Sequence, residues 1–244
     1  MDKYKFYYYD GRGNGELCRI LLAYGHFEYE DKRFPKEGSP DLKSFLRKAP
    51  MRQLPVLEKD GDMLCKAPVI ARYLAEILNL AGQTTWQQAK VSMHVQATFD
   101  LYKDLKSVED ATGKPRAIAW KKFQDEFLKP FLENYNKLIT EDKCTWLVGD
   151  EITYADLAVA EILSLLADCY DPDVLSDNDN LEAYVKRVFD DPNIKDSLEQ
   201  VELIGAITPS PYDVTFAART KEVIHKVFKT EDILITGEIF PGFL

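Results

Sequence analysis

The period of the apolar residues changes near residue 80, and that switch limits the chain to a composite fold. Before it the apolar segments are short. After it, apolar residues recur three and four apart over long stretches, as in helices that pack by one face. Tyr4 to Tyr9 is aromatic and β-prone and runs into Gly11-Arg12-Gly13-Asn14-Gly15, so a strand and then a turn are expected. Leu17, Ile20, Leu21 and Tyr24 share a helical face that Gly25 closes. A second strand fits Glu28 to Phe34, and a weaker helix fits Asp41 to Lys48. Pro55-Val56-Leu57-Glu58, Asp60-Gly61 and Met63-Leu64-Cys65 spell a hairpin, because Asp-Gly accepts the positive φ angles of a two-residue turn. Val69, Ile70, Tyr73, Leu74 and Ile77 form the apolar stripe of one more helix.

The order β-α-β-α-β-β-α within residues 1–80 describes a thioredoxin-like α/β domain with a four-stranded mixed sheet and three helices. An all-helical domain is expected over residues 84–205, with helices near 84–110, 115–139, 153–170 and 180–189 and a polar break at Thr112-Gly113-Lys114-Pro115. Thr153-Tyr154-Ala155-Asp156 reads as a helix N-terminus with a capping acid at its third position, and Ile152 and Leu157 are spaced as a hydrophobic staple. The helix that follows is apolar nearly all round (Leu157, Val159, Ala160, Ile162, Leu163, Leu165, Leu166), which predicts a buried central helix. Residues 206–244 form a C-terminal extension. Its Val214–Phe228 stretch, with Val223, Ile224, Val227 and Phe228 on one stripe, is expected to be a helix that packs over the helical domain.

Hydrophobic residues at 45% supply a packed core, so disorder is excluded as the default. With 31 Lys and Arg against 41 Asp and Glu, the net charge of −10 argues against nucleic acid or an anionic membrane as the partner. The acidity is one-sided: residues 1–80 hold 14 basic and 12 acidic side chains. No apolar run approaches the ~18–20 residues of a membrane span, and Met1-Asp2-Lys3-Tyr4 opens no signal peptide, so a cytoplasmic protein is expected. Cys18, Cys65, Cys144 and Cys169 include no C-x-x-C pair, and His26, His94 and His225 have no ligand spacing, so no metal site is expected. Glu16 breaks a G-x-G-x-x-G reading of the glycine turn, which removes a dinucleotide site.

Four motifs in order carry a resemblance: Tyr4-Lys5-Phe6-Tyr7-Tyr8-Tyr9-Asp10-Gly11-Arg12-Gly13, Gln53-Leu54-Pro55-Val56-Leu57, Ile70-Ala71-Arg72-Tyr73-Leu74-Ala75, and Trp146-Leu147-Val148-Gly149 leading into Thr153-Tyr154-Ala155-Asp156. Over residues 2–205 the chain resembles the glutathione transferases, most closely the sigma class. The resemblance implies a homodimer that joins the glutathione thiolate to a small electrophilic or lipophilic ligand, or uses it as an isomerase. It matches Tyr8 to the tyrosine that hydrogen-bonds the glutathione sulfur. A free thiol has a pKa of ~8.5, so a donor to the thiolate favours the nucleophilic form. It matches Leu54-Pro55, beside Gln53, to a cis-proline site whose backbone receives the cysteinyl part of glutathione. It matches Lys43 to a glycyl-carboxylate ligand and Asp100 to a carboxylate that crosses the dimer interface to the γ-glutamyl ammonium.

Four positions depart from the family pattern. Lys66-Ala67 replaces a Gln-Ser pair at the start of the third helix, and the lost hydroxyl removes on the order of 1.5–3 kcal/mol of grip on the γ-glutamyl carboxylate. The helix start and the Lys66 ammonium are expected to offset that loss. Asn14 replaces an arginine near the tyrosine, and Ser39 stands at a tryptophan position. These departures also fit a second reading, a non-catalytic transferase-like ligand-binding or structural protein that works through its extension. Cys18, in an apolar stripe with Leu17 and Leu21, is expected to be a wall or core residue and not a nucleophile.

Overall fold

The computed structural model describes residues 3–35, 38–141 and 145–194. The C-terminal extension, with its expected helix and docking, lies outside the described residues, as does Cys144. The described chain runs β1 (Tyr4–Tyr9), α1 (Glu16–Tyr24), β2 (Tyr29–Phe34), α2 (Pro40–Leu46), β3 (Val56–Lys59), β4 (Asp62–Cys65) and α3 (Ala67–Ile77). Then come α4 (Thr85–Glu109), α5 (Gly113–Phe123), α6 (Lys129–Glu141), α7 (Tyr154–Cys169) and α8 (Asp179–Phe189). The α/β unit is the expected thioredoxin-like one. Its sheet has the order β2-β1-β3-β4, with β2 parallel to β1 and the β3–β4 hairpin antiparallel. The hairpin turns on Asp60 and Gly61, with φ of 50° and 92°.

The pleat of β1 sorts its aromatics. Tyr4, Phe6 and Tyr8 enter the main core with Leu17, Leu21, Ile70 and Leu74 from α1 and α3. Tyr7 lies with the second, smaller core of Ala49, Val56 and Cys65, where its ring stacks on Phe45 of α2 at 4.2 Å. Two-sided burial is what a mixed sheet flanked by helices requires.

In the helical part, α4 buries Val91, Val95, Thr98, Leu101, Leu105 and Val108, one face of a long helix. Thr84 and Gln87 cap it reciprocally. The stretch expected as one helix over 115–139 differs in two ways. It begins at Gly113, so Pro115 falls in the first turn, where its missing N–H costs nothing. It is also interrupted by a π turn at Gln124–Leu128, which absorbs the five-residue step between the buried Phe123 and Leu128 and returns Phe131, Leu132 and Tyr135 to the core. Helix α7 is the central helix, buried at every position from Tyr154 to Leu163. Its capping acid works as expected: Asp156 accepts the Thr153 N–H at 2.8 Å and also receives the Leu147 N–H and the Tyr184 hydroxyl. The two parts meet where the Tyr154 N–H donates to the Leu80 carbonyl at 3.0 Å and where α1 packs on α7.

Among the described residues, Cys18, Cys65 and Cys169 are buried, no cluster of three metal-ligating side chains occurs, and no helix is long and apolar enough to cross a membrane.

Candidate functional site

Of the three adjacent tyrosines, only Tyr8 faces the glycine turn. Tyr7 is committed to the opposite face, where its hydroxyl donates to Glu58 at 2.8 Å. Tyr8 is 8% exposed and is gripped by the turn: a Cβ on Gly15 would lie 2.5 Å from its ring, and one on Gly13 would lie 3.2 Å from its hydroxyl. The Gly15 backbone N–H lies close enough to that hydroxyl to favour its ionised form slightly. Burial pushes the Tyr8 phenol well above its ordinary value, and the nearby Arg19 only partly opposes this. Tyr8 is therefore a proton-bearing donor at neutral pH, not a base.

Beneath Tyr8 lies Arg19, with its guanidinium carbon 5.5 Å from the centres of the Phe6 and Tyr8 rings. It is fully buried and donates to Glu16 (2.9 Å), Asp31 (3.1 Å), the Gly11 carbonyl (3.1 Å) and the Tyr9 carbonyl (3.1 Å). A charge removed from water needs such partners on every donor. These bonds fasten the end of β1 and the start of the turn to α1 and β2.

A second charged group ties the turn to the helical part. The Arg12 side chain, 6% exposed, donates to Asp168 at 2.8 Å, and to Ser164 and the Glu161 carbonyl at 3.3 Å. It also pairs with the Glu161 carboxylate at 3.4 Å. The other oxygen of Glu161 accepts the Tyr102 hydroxyl. Burial pushes the Glu161 carboxyl up to about 7, against the pull of Arg12. Neither this cluster nor Arg19 was singled out in the sequence. The one local signal was a lone carboxylate, Glu161, inside the apolar run of α7.

The other expected site residues fall into two groups. Gln53, Leu54, Pro55, Lys66 and Ala67 lie together: the Leu54–Pro55 peptide is cis, and the Lys66 ammonium donates to the Gln53 side-chain carbonyl at 2.6 Å. Lys66 precedes α3 with φ of 78°. Cys18 lies underneath, its thiol directed at the Ala67 carbonyl at 3.6 Å, and burial raises its pKa, so it is a wall residue and not a nucleophile. Ser39 has a local task, since its hydroxyl caps α2 by accepting the Leu42 N–H at 3.0 Å. Lys43 on α2 and Asn14 in the turn are exposed. Asp100 stands apart on the exposed side of α4, where Gln96 donates to it at 3.0 Å.

Comparison with known proteins agrees with this arrangement. Residues 4–76 match the family description "Glutathione S-transferase, N-terminal domain", and residues 100–200 match "Glutathione S-transferase, C-terminal domain". "Probable glutathione S-transferase 5" of Caenorhabditis elegans is 35% identical over 212 residues, covering 82% of this chain and 97% of the relative. "Hematopoietic prostaglandin D synthase" of Homo sapiens is 32% identical over 195 residues, covering 77% of this chain and 91% of the relative. The crystal structure of the glutathione S-transferase from Ascaris lumbricoides superposes with a TM-score of 0.67 at 28% identity, over 81% of this chain and 97% of that one.

Proposed function

The chain belongs to the glutathione S-transferase family, and on that premise we propose that Tyr8 stabilises the thiolate of bound glutathione for attack on an electrophile. The enzyme is a glutathione transferase with glutathione as its co-substrate. The thiol proton passes to solvent, a sulfur lone pair forms the new bond to the electrophilic atom, and the leaving group departs with its electron pair. The same thiolate serves an isomerisation when it is expelled again. The observation that carries this reading is the state of Tyr8. A buried phenol held protonated, packed between Gly13 and Gly15 of the turn, has its own proton to donate to sulfur.

The remaining contacts follow from chemistry. Lys66 and Lys43 supply ammonium groups for the two carboxylates of the tripeptide, and the backbone at Leu54-Pro55 with Gln53 and Ala67 supplies strand-like hydrogen bonds. Residues 1–80 would form the glutathione-binding domain, residues 84–205 the helical domain that bears the electrophile pocket, and residues 206–244 an extension to it. A sigma-like class, a cytoplasmic location and a role in detoxification accord with the matched motifs and the buried thiols of Cys18 and Cys65.

A homodimer is supported by α4. Trp86 and Met93 are 69% and 59% exposed, and with Asp100 they stand seven residues apart on one helix face. Asp100 would reach the glutathione bound to the partner from that stripe.

The test is Tyr8→Phe assayed with glutathione and a generic aryl halide. Loss of one hydrogen bond to a charged sulfur is expected to lower kcat/KM by roughly 10- to 100-fold with the fold intact. Unchanged turnover would sink the assignment.

A further inference from the structure

Helix α7 is apolar at nearly every position, so a carboxylate in its middle calls for a reason. A leucine there would pack without desolvating a charge. Glu161 is 1% exposed, and each of its oxygens serves a different segment of the chain. One oxygen pairs with Arg12 and the other accepts from Tyr102 of α4. Arg12 does not depend on Glu161 to balance its charge, because the half-exposed Asp168 already pairs with it at 2.8 Å. What Glu161 adds is a fixed point, deep in the helical part, for the arm of a turn that is otherwise glycine on both sides of Arg12, with φ of 152° at Gly11 and 129° at Gly13.

That turn packs directly on Tyr8, with Gly15 against its ring and Gly13 beside its hydroxyl. It is held by Arg19 at the Gly11 carbonyl, by the Glu16 N–H at the Gly13 carbonyl (2.8 Å), and by Arg12 on α7. Only the last of these reaches across to the half of the molecule that bears the electrophile. We propose that Glu161 is a positioning residue for the transfer: its carboxylate ties the Arg12 arm of the glycine turn to Tyr102 of α4, and so sets the Tyr8 hydroxyl against the electrophile-binding side. The charged and titratable groups that face it are Arg12 from the turn, Glu16 from α1 and Tyr102 from α4, and Asp168 of α7 shares Arg12 with it.

This inference rests on the transferase reading, which has its own check: calorimetric titration of the wild-type protein with glutathione. No binding there would overturn both. With binding established, Glu161→Gln keeps the shape and removes the charge, and Tyr102→Phe removes a single hydroxyl. Each is expected to lower kcat by roughly tenfold or more while glutathione affinity stays within about twofold. In a Tyr8→Phe background each effect should shrink below about twofold, because it acts through that hydroxyl. A merely structural role would give equal losses in both backgrounds, and that result, or wild-type kcat in Glu161→Gln, overturns the proposal. Where Glu161→Gln shows no cooperative thermal transition, the same cycle with Tyr102→Phe decides.

Discussion

Burial pushes Tyr8 and Glu161 in the same direction, towards the protonated form, from different starting points. The phenol, ordinarily protonated at pH 7, is locked further into that state and becomes a dependable donor. The carboxyl, ordinarily ionised, is brought to about 7 and titrates in the physiological range. Between its ordinary value of 4.5 and about 7, the folded protein holds a proton that the unfolded chain has released. Protons bound by the native state exceed those bound by the unfolded state, so the contribution of Glu161 to stability is fully present below the ordinary value. It is lost as pH rises, by at most about 1.4 kcal/mol per unit. Urea unfolding of the wild type and Glu161→Gln at pH 5, 6, 7 and 8 checks this. The stability difference should move in favour of the variant across that range and level off above it. A flat difference would mean that the carboxyl stays ionised throughout. Tyr8 was singled out through the family motif, whereas the meeting of Arg12, Glu161 and Tyr102 was not. Their contacts join residues 149 and 59 positions apart, and no local spacing records such a meeting.

At the scale of elements, local chemistry was the reliable guide. The Asp60-Gly61 hairpin and the Asp156 cap form as written because turn and cap residues act on neighbours within a few positions. Asp156 does more than its motif indicates: it also receives the Leu147 N–H and the Tyr184 hydroxyl, so α7, the segment before it and α8 converge on one carboxylate. Asp156→Ala leaves those donors buried without an acceptor. The expected cost is about 3–5 kcal/mol, read as a lower urea midpoint with an unchanged m-value, and Asp156→Asn should lose clearly less. The π turn at Gln124–Leu128 escaped notice because periodicity averages over a window, and one irregular step between Phe123 and Leu128 leaves the rest of the pattern intact. Ser39 shows a related blind spot. Judged against the family it looked like a missing ligand, yet its hydroxyl holds the first turn of α2.

For the whole molecule, the net charge of −10 belongs to the helical part, which leaves the thioredoxin-like part nearly neutral for an anionic tripeptide. The exposed stripe of α4 is the surface on which a dimer would be lost first. Met93→Asp places a charge between Trp86 and Asp100, and is expected to weaken dimerisation at least tenfold, or about 1.4 kcal/mol, measured by light scattering across a dilution series. On the proposed reach of Asp100 across the dimer, glutathione affinity should fall with it. Helix α7 has one more consequence. It is fastened to the α/β part near both ends, by Tyr154 to Leu80 at its start and by Arg12 to Glu161 and Asp168 further along. An element clamped at two points cannot leave one part without disturbing the other. The two parts are therefore expected to melt as one cooperative unit, read as a single transition in scanning calorimetry, and two separate transitions would show independent modules.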